Sequence, residues 1–179
     1  MNFSLFNQIA ILVVNIAGIW LALRVFFLDW KKKVNRYFAL MVISYLCWIS
    51  FYYLMRISSK ESSAYFWAKM GFAGVFVFMI FLYLFSIYFL GESKKFSLLT
   101  KIIVGIGSLC VPLSLFTKII TSKIHSEKWG PNPYMPFIGK VIFFGFVIFV
   151  SVFVLFRFLK KYLIADWETK LKLQYIFLG

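Results

Sequence analysis

The chain has 179 residues, of which 63% are hydrophobic and 15% charged, and its formal net charge is +14. Soluble domains are roughly 45–50% apolar and about 25% charged, so this composition excludes a soluble enzyme, a secreted disulfide scaffold and a disordered tail. The basic residues lie in short segments between long apolar runs. Lipid head groups, rather than nucleic acid, are therefore the expected anionic partner.

Five apolar runs are long enough to cross a bilayer, which needs about 20 helical residues. None alternates strictly, so an outer-membrane barrel is excluded. The sequence predicts an all-α, polytopic membrane helical bundle with five transmembrane helices and the start of a sixth. The predicted spans are residues 5–28, 37–57, 70–90, 96–117 and 136–159, and the sixth helix is predicted to begin at residues 173–179. The chain is accordingly interpreted as a fragment of a longer membrane protein.

Two connections between the spans have distinctive patterns. Ser58 followed by Glu61 fits a capping box, which predicts that the third helix begins there, outside the membrane core. The loop before the fifth span contains three of the four prolines, at positions 131, 133 and 136. Because proline fixes φ and removes a backbone donor, this segment is predicted to be a shaped loop or a short hairpin.

The distribution of basic residues predicts the orientation. The first, third and fifth loops hold 13 Lys and Arg residues, against 7 in the second and fourth. The positive-inside rule therefore places the N-terminus outside and the cluster Lys31–Lys33 in the cytoplasm. No Lys or Arg precedes Arg24, so the first helix lacks the basic region of a cleavable signal peptide.

The spans contain few side chains that could catalyse a reaction or bind a metal. No Asp, Glu, Lys or Arg lies near the centre of any span, whereas pumps and proton relays depend on such groups. His125 is the single histidine, and Cys47 and Cys110 are interpreted as small buried hydrophobic residues without metal-binding spacing. We expect no catalytic residue, no metal site and no cofactor in this segment.

A small polar and aromatic set remains inside the spans. Asn15 lies within the first span, so we expect its side chain to form a hydrogen bond with another helix or with a ligand. Trp48 and Tyr52 follow one face of the second helix together with Tyr45 and Arg56, and Trp48 lies too deep to be an interfacial anchor. The candidate ligand-binding residues are therefore Asn15, Trp48 and Tyr52, which we expect to face a common cavity; helix packing is the alternative interpretation.

Four short patterns together resemble a known family. They are Leu46-Cys47-Trp48 within the second helix; Glu61 with Trp67-Ala68-Lys69-Met70-Gly71 at the start of the third; Trp129-Gly130-Pro131-Asn132-Pro133-Tyr134 before the fifth; and a basic linker leading to Gln174 and Gly179. This layout resembles the N-terminal seven-transmembrane sensor region of bacterial histidine kinases, which is similar to input regions ahead of diguanylate cyclases. Trp67 and Trp129 are also expected to lie at the outer membrane interface.

The resemblance implies a sensor module in the bacterial cytoplasmic membrane. Its expected partners are membrane lipids, an unidentified hydrophobic or peptide signal, and a second copy of the intact protein in a homodimer. The cytoplasmic domain of that intact protein would be a histidine kinase. A small transporter or pore is the main alternative. A membrane enzyme acting on lipids and a scaffold without a ligand are further alternatives. The enzyme would need clustered His, Asp or Glu residues, which the spans lack.

Overall fold

The computed structural model describes residues 3–91, 98–127 and 130–164, and within them it is a helical bundle with one small hairpin. All five helices are long and apolar enough to cross a membrane. The elements in chain order are α1 Phe3–Leu28, α2 Lys33–Ile57, α3 Glu61–Phe89, α4 Leu98–Phe116, β1 Lys123–Glu127, β2 Gly130–Tyr134 and α5 Phe137–Ile164. The predicted all-α membrane bundle is confirmed; the start of a sixth helix at residues 173–179 lies outside the described residues.

α1, α2, α3 and α5 each begin or end beyond their predicted spans, whereas α4 is slightly shorter than its span. α3 begins at Glu61, as the expected early start requires, but the capping box is wrong. Lys60 is the N-cap residue and makes no side-chain cap, while the Ser58 hydroxyl donates to the Leu54 carbonyl at 2.6 Å. Ser58 directly follows the end of α2, so its hydroxyl bonds back to the preceding helix instead of to α3.

The third helix is the centre of the bundle. α2, α4 and α5 all pack against α3, whereas α1 packs against α2. The largest buried cluster combines α3 residues such as Phe76 and Tyr83 with Ile103 of α4 and Val150 of α5. Tyr83 and Thr100 share a buried hydrogen bond of 3.1 Å, which joins α3 to α4. α2, α4 and α5 are therefore arranged around one long apolar helix, and α1 lies outside them against α2.

Small residues allow the closest helix approaches, as helix association in lipid requires. A Cβ on Gly18 of α1 would lie 2.8 Å from Leu46 Cδ1 on α2, and one on Gly74 of α3 would lie 3.4 Å from Trp48 Cα. Ala22 is fully buried in the α1–α2 contact region. Of the two cysteines, Cys110 is buried as expected but Cys47 is exposed. The expectation for Cys47 is wrong because its side of α2 has no helix packed over it.

The proline-rich segment forms an antiparallel hairpin, as predicted. Lys123 pairs with Tyr134 and Glu127 pairs with Gly130. The hairpin packs against one end of α2 and α3. Gly130 has a φ of +106°, and a Cβ there would lie 3.0 Å from the Arg56 carbonyl oxygen, so glycine permits both the conformation and the close approach. The hairpin thereby covers the same end of the bundle at which α2 ends.

Candidate functional site

A cavity of about 170 Å³ lies between α2, α3 and α5, under the hairpin. An engineered apolar cavity of about 150 Å³ binds benzene, so this space accommodates a single ring or a branched aliphatic group. It is too small for a whole drug-sized molecule, which needs roughly 300 Å³ or more. The lining is predominantly apolar and aromatic and consists of Trp48, Tyr52, Met55, Trp67, Ala68, Gly71, Phe72, Pro133 and Phe143.

Small residues on α3 create this space. Ala68 and Gly71, three positions apart and both buried, face α2 where larger side chains would fill the gap. A Cβ on Gly71 would have its nearest neighbour, Phe51 Cβ, 4.0 Å away. Trp67 is stacked on Phe51 with ring centroids 5.7 Å apart. Local sequence therefore determines one wall: two small residues with an aromatic ring beside them.

Aromatic contacts hold the opposite wall in place. The Trp48 ring meets Tyr45 edge-on, with centroids 5.6 Å apart, and the Trp48 backbone lies against Gly74. Phe143 of α5 contacts Phe72 of α3 edge-on at 5.0 Å. Such contacts contribute about 0.5–1.5 kcal/mol each beyond the area that they bury. The rings are thus positioned before any ligand arrives.

The rim of the cavity carries the polar groups. Tyr52 is 46% exposed, and its hydroxyl accepts hydrogen bonds from Arg56 Nη2 at 2.5 Å and Nε at 3.1 Å. The same guanidinium lies 5.1 Å from the Tyr52 ring centroid. Arg56 Nη1 is buried, and no described residue accepts a hydrogen bond from it. A buried donor without a partner is costly, so an acceptor next to the Arg56 guanidinium would be stabilising.

The structure brings Trp48 and Tyr52 together in the cavity and places Asn15 outside it. Asn15 Nδ2 donates to the Ile11 carbonyl at 2.8 Å, and its Oδ1 accepts from the Ser50 hydroxyl at 3.1 Å. Ser50 is two positions from Trp48, which is about 200° around a helix. α1 and the cavity therefore contact opposite sides of α2, and the expected common cavity does not include Asn15.

Lys69, which belongs to the sequence pattern at the start of α3, connects α3 to α4. Its Nζ donates to the Leu115 carbonyl in the last turn of α4 at 3.2 Å and lies 4.7 Å from the Tyr65 ring centroid. The Ser114 hydroxyl donates to the Lys69 carbonyl at 3.2 Å. A cation at a helix C-terminus is favourable, so Lys69 joins the hairpin ends of α3 and α4.

Sequence reasoning missed several lining residues. Trp67 is half-buried in the cavity wall, and its expected place at the membrane interface, which stays a prediction, did not indicate this role. The spacing of Ala68 and Gly71 was the available signal for the α3 wall. Phe143 is distant in sequence and Pro133 comes from the hairpin, so no spacing within one segment places either residue at the cavity. In the described part of the chain, no group of three His, Cys, Asp or Glu residues could hold a metal ion.

Comparison with protein families identifies the chain. Residues 10–163 match the family described as the N-terminal 7TM region of histidine kinase. The chain belongs to this family. No curated protein and no solved structure matches it. The match covers α1 from residue 10, α5 to residue 163, and all of α2, α3, α4, the hairpin and the lining of the cavity. This histidine kinase sensor region is therefore a multi-pass membrane input module.

Proposed function

We propose that this sensor region receives an extracellular or membrane-borne signal in the cavity beside Trp48 and Tyr52 and transmits it to a cytoplasmic signalling domain. In the intact protein that domain would be a histidine kinase, acting as a homodimer in the bacterial cytoplasmic membrane. The observation that carries this proposal is the preformed aromatic cavity at the hairpin end of the bundle. The basic-residue distribution favours an outside N-terminus, which places that end outside.

The chemistry of the cavity and rim indicates the kind of signal. A ring or branched aliphatic group fits the volume, and the Arg56 guanidinium, which binds the Tyr52 hydroxyl beside the cavity, favours an acceptor such as a carboxylate or carbonyl oxygen. A small amphipathic molecule has both features, and so does one side chain with the adjoining backbone carbonyl of a peptide. The acceptor would gain a charge-assisted hydrogen bond, the stronger kind.

The route to the opposite end runs through α5. Phe143 lines the cavity near the start of α5, a helix of 28 residues. At 1.5 Å per residue such a helix is about 42 Å long and reaches across the bilayer. A ligand that favours one arrangement of α3 and α5 by about 1.4 kcal/mol would shift the population ratio tenfold. Asn15 is proposed to influence the response through the α1–α2 contact instead of by touching the ligand.

A cavity-filling substitution tests the site without knowledge of the signal. Ala68→Phe places a ring where the ligand would lie, so we expect the full-length protein to show an altered, fixed level of autophosphorylation. Ala17→Phe is the matched control, because Ala17 is exposed on α1. Wild-type autophosphorylation in Ala68→Phe, with membrane insertion equal to the control, would remove the cavity from the signalling route.

The aromatic wall is tested separately once a responsive signal preparation is in hand. Trp48→Ala and Tyr52→Ala should shift the dose response roughly fivefold, since each aromatic contact is worth about 1 kcal/mol. Trp20→Ala, at an exposed position of α1, is the control. If all three variants respond like the wild type at equal expression, these residues only pack and the signal enters elsewhere.

Cysteine labelling tests the orientation. In a background with Cys47 and Cys110 replaced by alanine, Lys123→Cys should react with a membrane-impermeant maleimide added to intact cells. Lys32→Cys should react only after the membrane is permeabilised. Labelling of Lys32→Cys in intact cells would reverse the proposed orientation and place the cavity on the cytoplasmic side.

A further inference from the structure

A second cavity, of about 470 Å³, lies at the end of the bundle opposite the hairpin. α4 and α5 both pack against α3, and the cavity occupies the space between them. Three of its lining residues are basic: Arg157, Lys160 and Lys161 of α5. None of the described lining residues is acidic. These three positions follow the i, i+3, i+4 pattern, so they share one face of α5.

We propose that this cavity is a binding site for the phosphate head group of an anionic phospholipid. Lys160 is exposed and Lys161 half-buried, so both ammonium groups can reach a phosphate at the mouth. The Arg157 guanidinium lies 5.7 Å from the Tyr83 ring centroid and 5.8 Å from that of Phe153. Cation–π contacts of this kind position a guanidinium. The three cations around this cavity attract the single negative charge of an anionic phosphodiester and would repel the ammonium group of a zwitterionic head group.

An apolar strip beneath the cations favours a lipid over a free phosphate as the ligand. Phe149, Val152 and Phe156 of α5 are all at least half exposed and recur at helical spacing. The strip leads to the cavity at Phe156 and extends about 10 Å towards the membrane centre. An acyl chain would lie along it while the head group occupies the cavity. A free phosphate would use the cations alone and leave the strip uncovered.

This site is distinct from the signal cavity. It shares no lining residue with the cavity at Trp48. It also lies at the end of the bundle that holds Lys31–Lys33, where the larger share of basic residues is found. Anionic lipids are concentrated in the cytoplasmic leaflet, so the proposed orientation brings the site and its ligand to the same side.

Native mass spectrometry of the full-length protein in detergent tests the proposal, with phosphatidylglycerol and phosphatidylcholine as competing probes. The wild type should retain phosphatidylglycerol in preference. Lys160→Gln/Lys161→Gln should weaken its binding about 30-fold, which corresponds to about 1 kcal/mol for each lysine. Lys160→Arg/Lys161→Arg keeps both charges and should retain binding, which separates loss of the site from loss of the fold.

The matched control is Lys31→Gln/Lys101→Gln, which removes two exposed cations from the same end of the bundle. It should leave phosphatidylglycerol binding little changed. An equal loss in this control would reduce the effect to general surface charge and overturn the site. The site would also be overturned if the wild type retained phosphatidylcholine as well as it retained phosphatidylglycerol. Displacement of the lipid by millimolar inorganic phosphate would assign the cavity to a free phosphate instead.

Discussion

α1 and α3 have the same mean hydropathy over their most apolar windows, 2.3, yet opposite positions in the bundle. In α3, 61% of that window is buried within the protein; in α1 the share is 6%. In lipid, the surroundings of an exposed apolar side chain are as apolar as a protein interior, so hydrophobicity does not draw one helix inward. Close packing decides instead, and α3 has small residues and aromatic rings that interlock with three neighbouring helices.

The strongest test of this difference between α3 and α1 is to truncate one large side chain on each helix. Phe76 of α3 is fully buried, with the rings of Phe143 and Phe146 both 5.6 Å away. Phe76→Ala should lower the free energy of unfolding by about 3 kcal/mol, through lost packing and a residual cavity. Ile16→Ala on α1 should change it little, because Ile16 is 61% exposed and loses few contacts within the protein. Reversible unfolding in mixed micelles measures both, and equal effects would contradict the distinction between a central and a peripheral helix.

A smaller effect is expected where α1 does make a close contact. Gly18→Leu would displace the Leu46 side chain or move α1 away from α2, because even a Cβ there lies 2.8 Å from Leu46 Cδ1. We expect a loss of about 1–3 kcal/mol, the usual cost of overpacking. Gly105→Leu is the control, since a Cβ at Gly105 meets nothing within 4 Å. Matching thermal stability of the two variants would show that α1 docks without a specific contact.

The smallest expected effect is the polar contact of α1. Asn15→Leu and Ser50→Ala each remove the 3.1 Å hydrogen bond between α1 and α2. Interhelical hydrogen bonds in membranes average about 0.6 kcal/mol, so a double-mutant cycle should give a coupling of that size. The cycle is measured by the same unfolding experiment. A coupling indistinguishable from zero would mean that Asn15 and Ser50 do not interact in the folded protein.

Part of the candidate site was predictable and part was not. Trp48 and Tyr52 could be placed on one face of α2 from their spacing alone, and the depth of Trp48 within the span indicated a role other than interfacial anchoring. Asn15 was misplaced because the choice between two sides of α2 depends on which helix packs where. Phe143 and Pro133 enter the cavity only through the packing of α5 and the hairpin.

The sequence by itself determined the number of described spans, the non-helical proline-rich segment and the sensor family, because long apolar runs report on lipid, prolines on turns and the short motifs on the family. Only the tertiary structure decided that α3 is central, that α1 is peripheral, and that a cavity opens beside Trp48. Hydropathy measures the preference of a segment for lipid over water. The order of helices within lipid depends on steric fit between side chains far apart in sequence, such as Phe72 and Phe143.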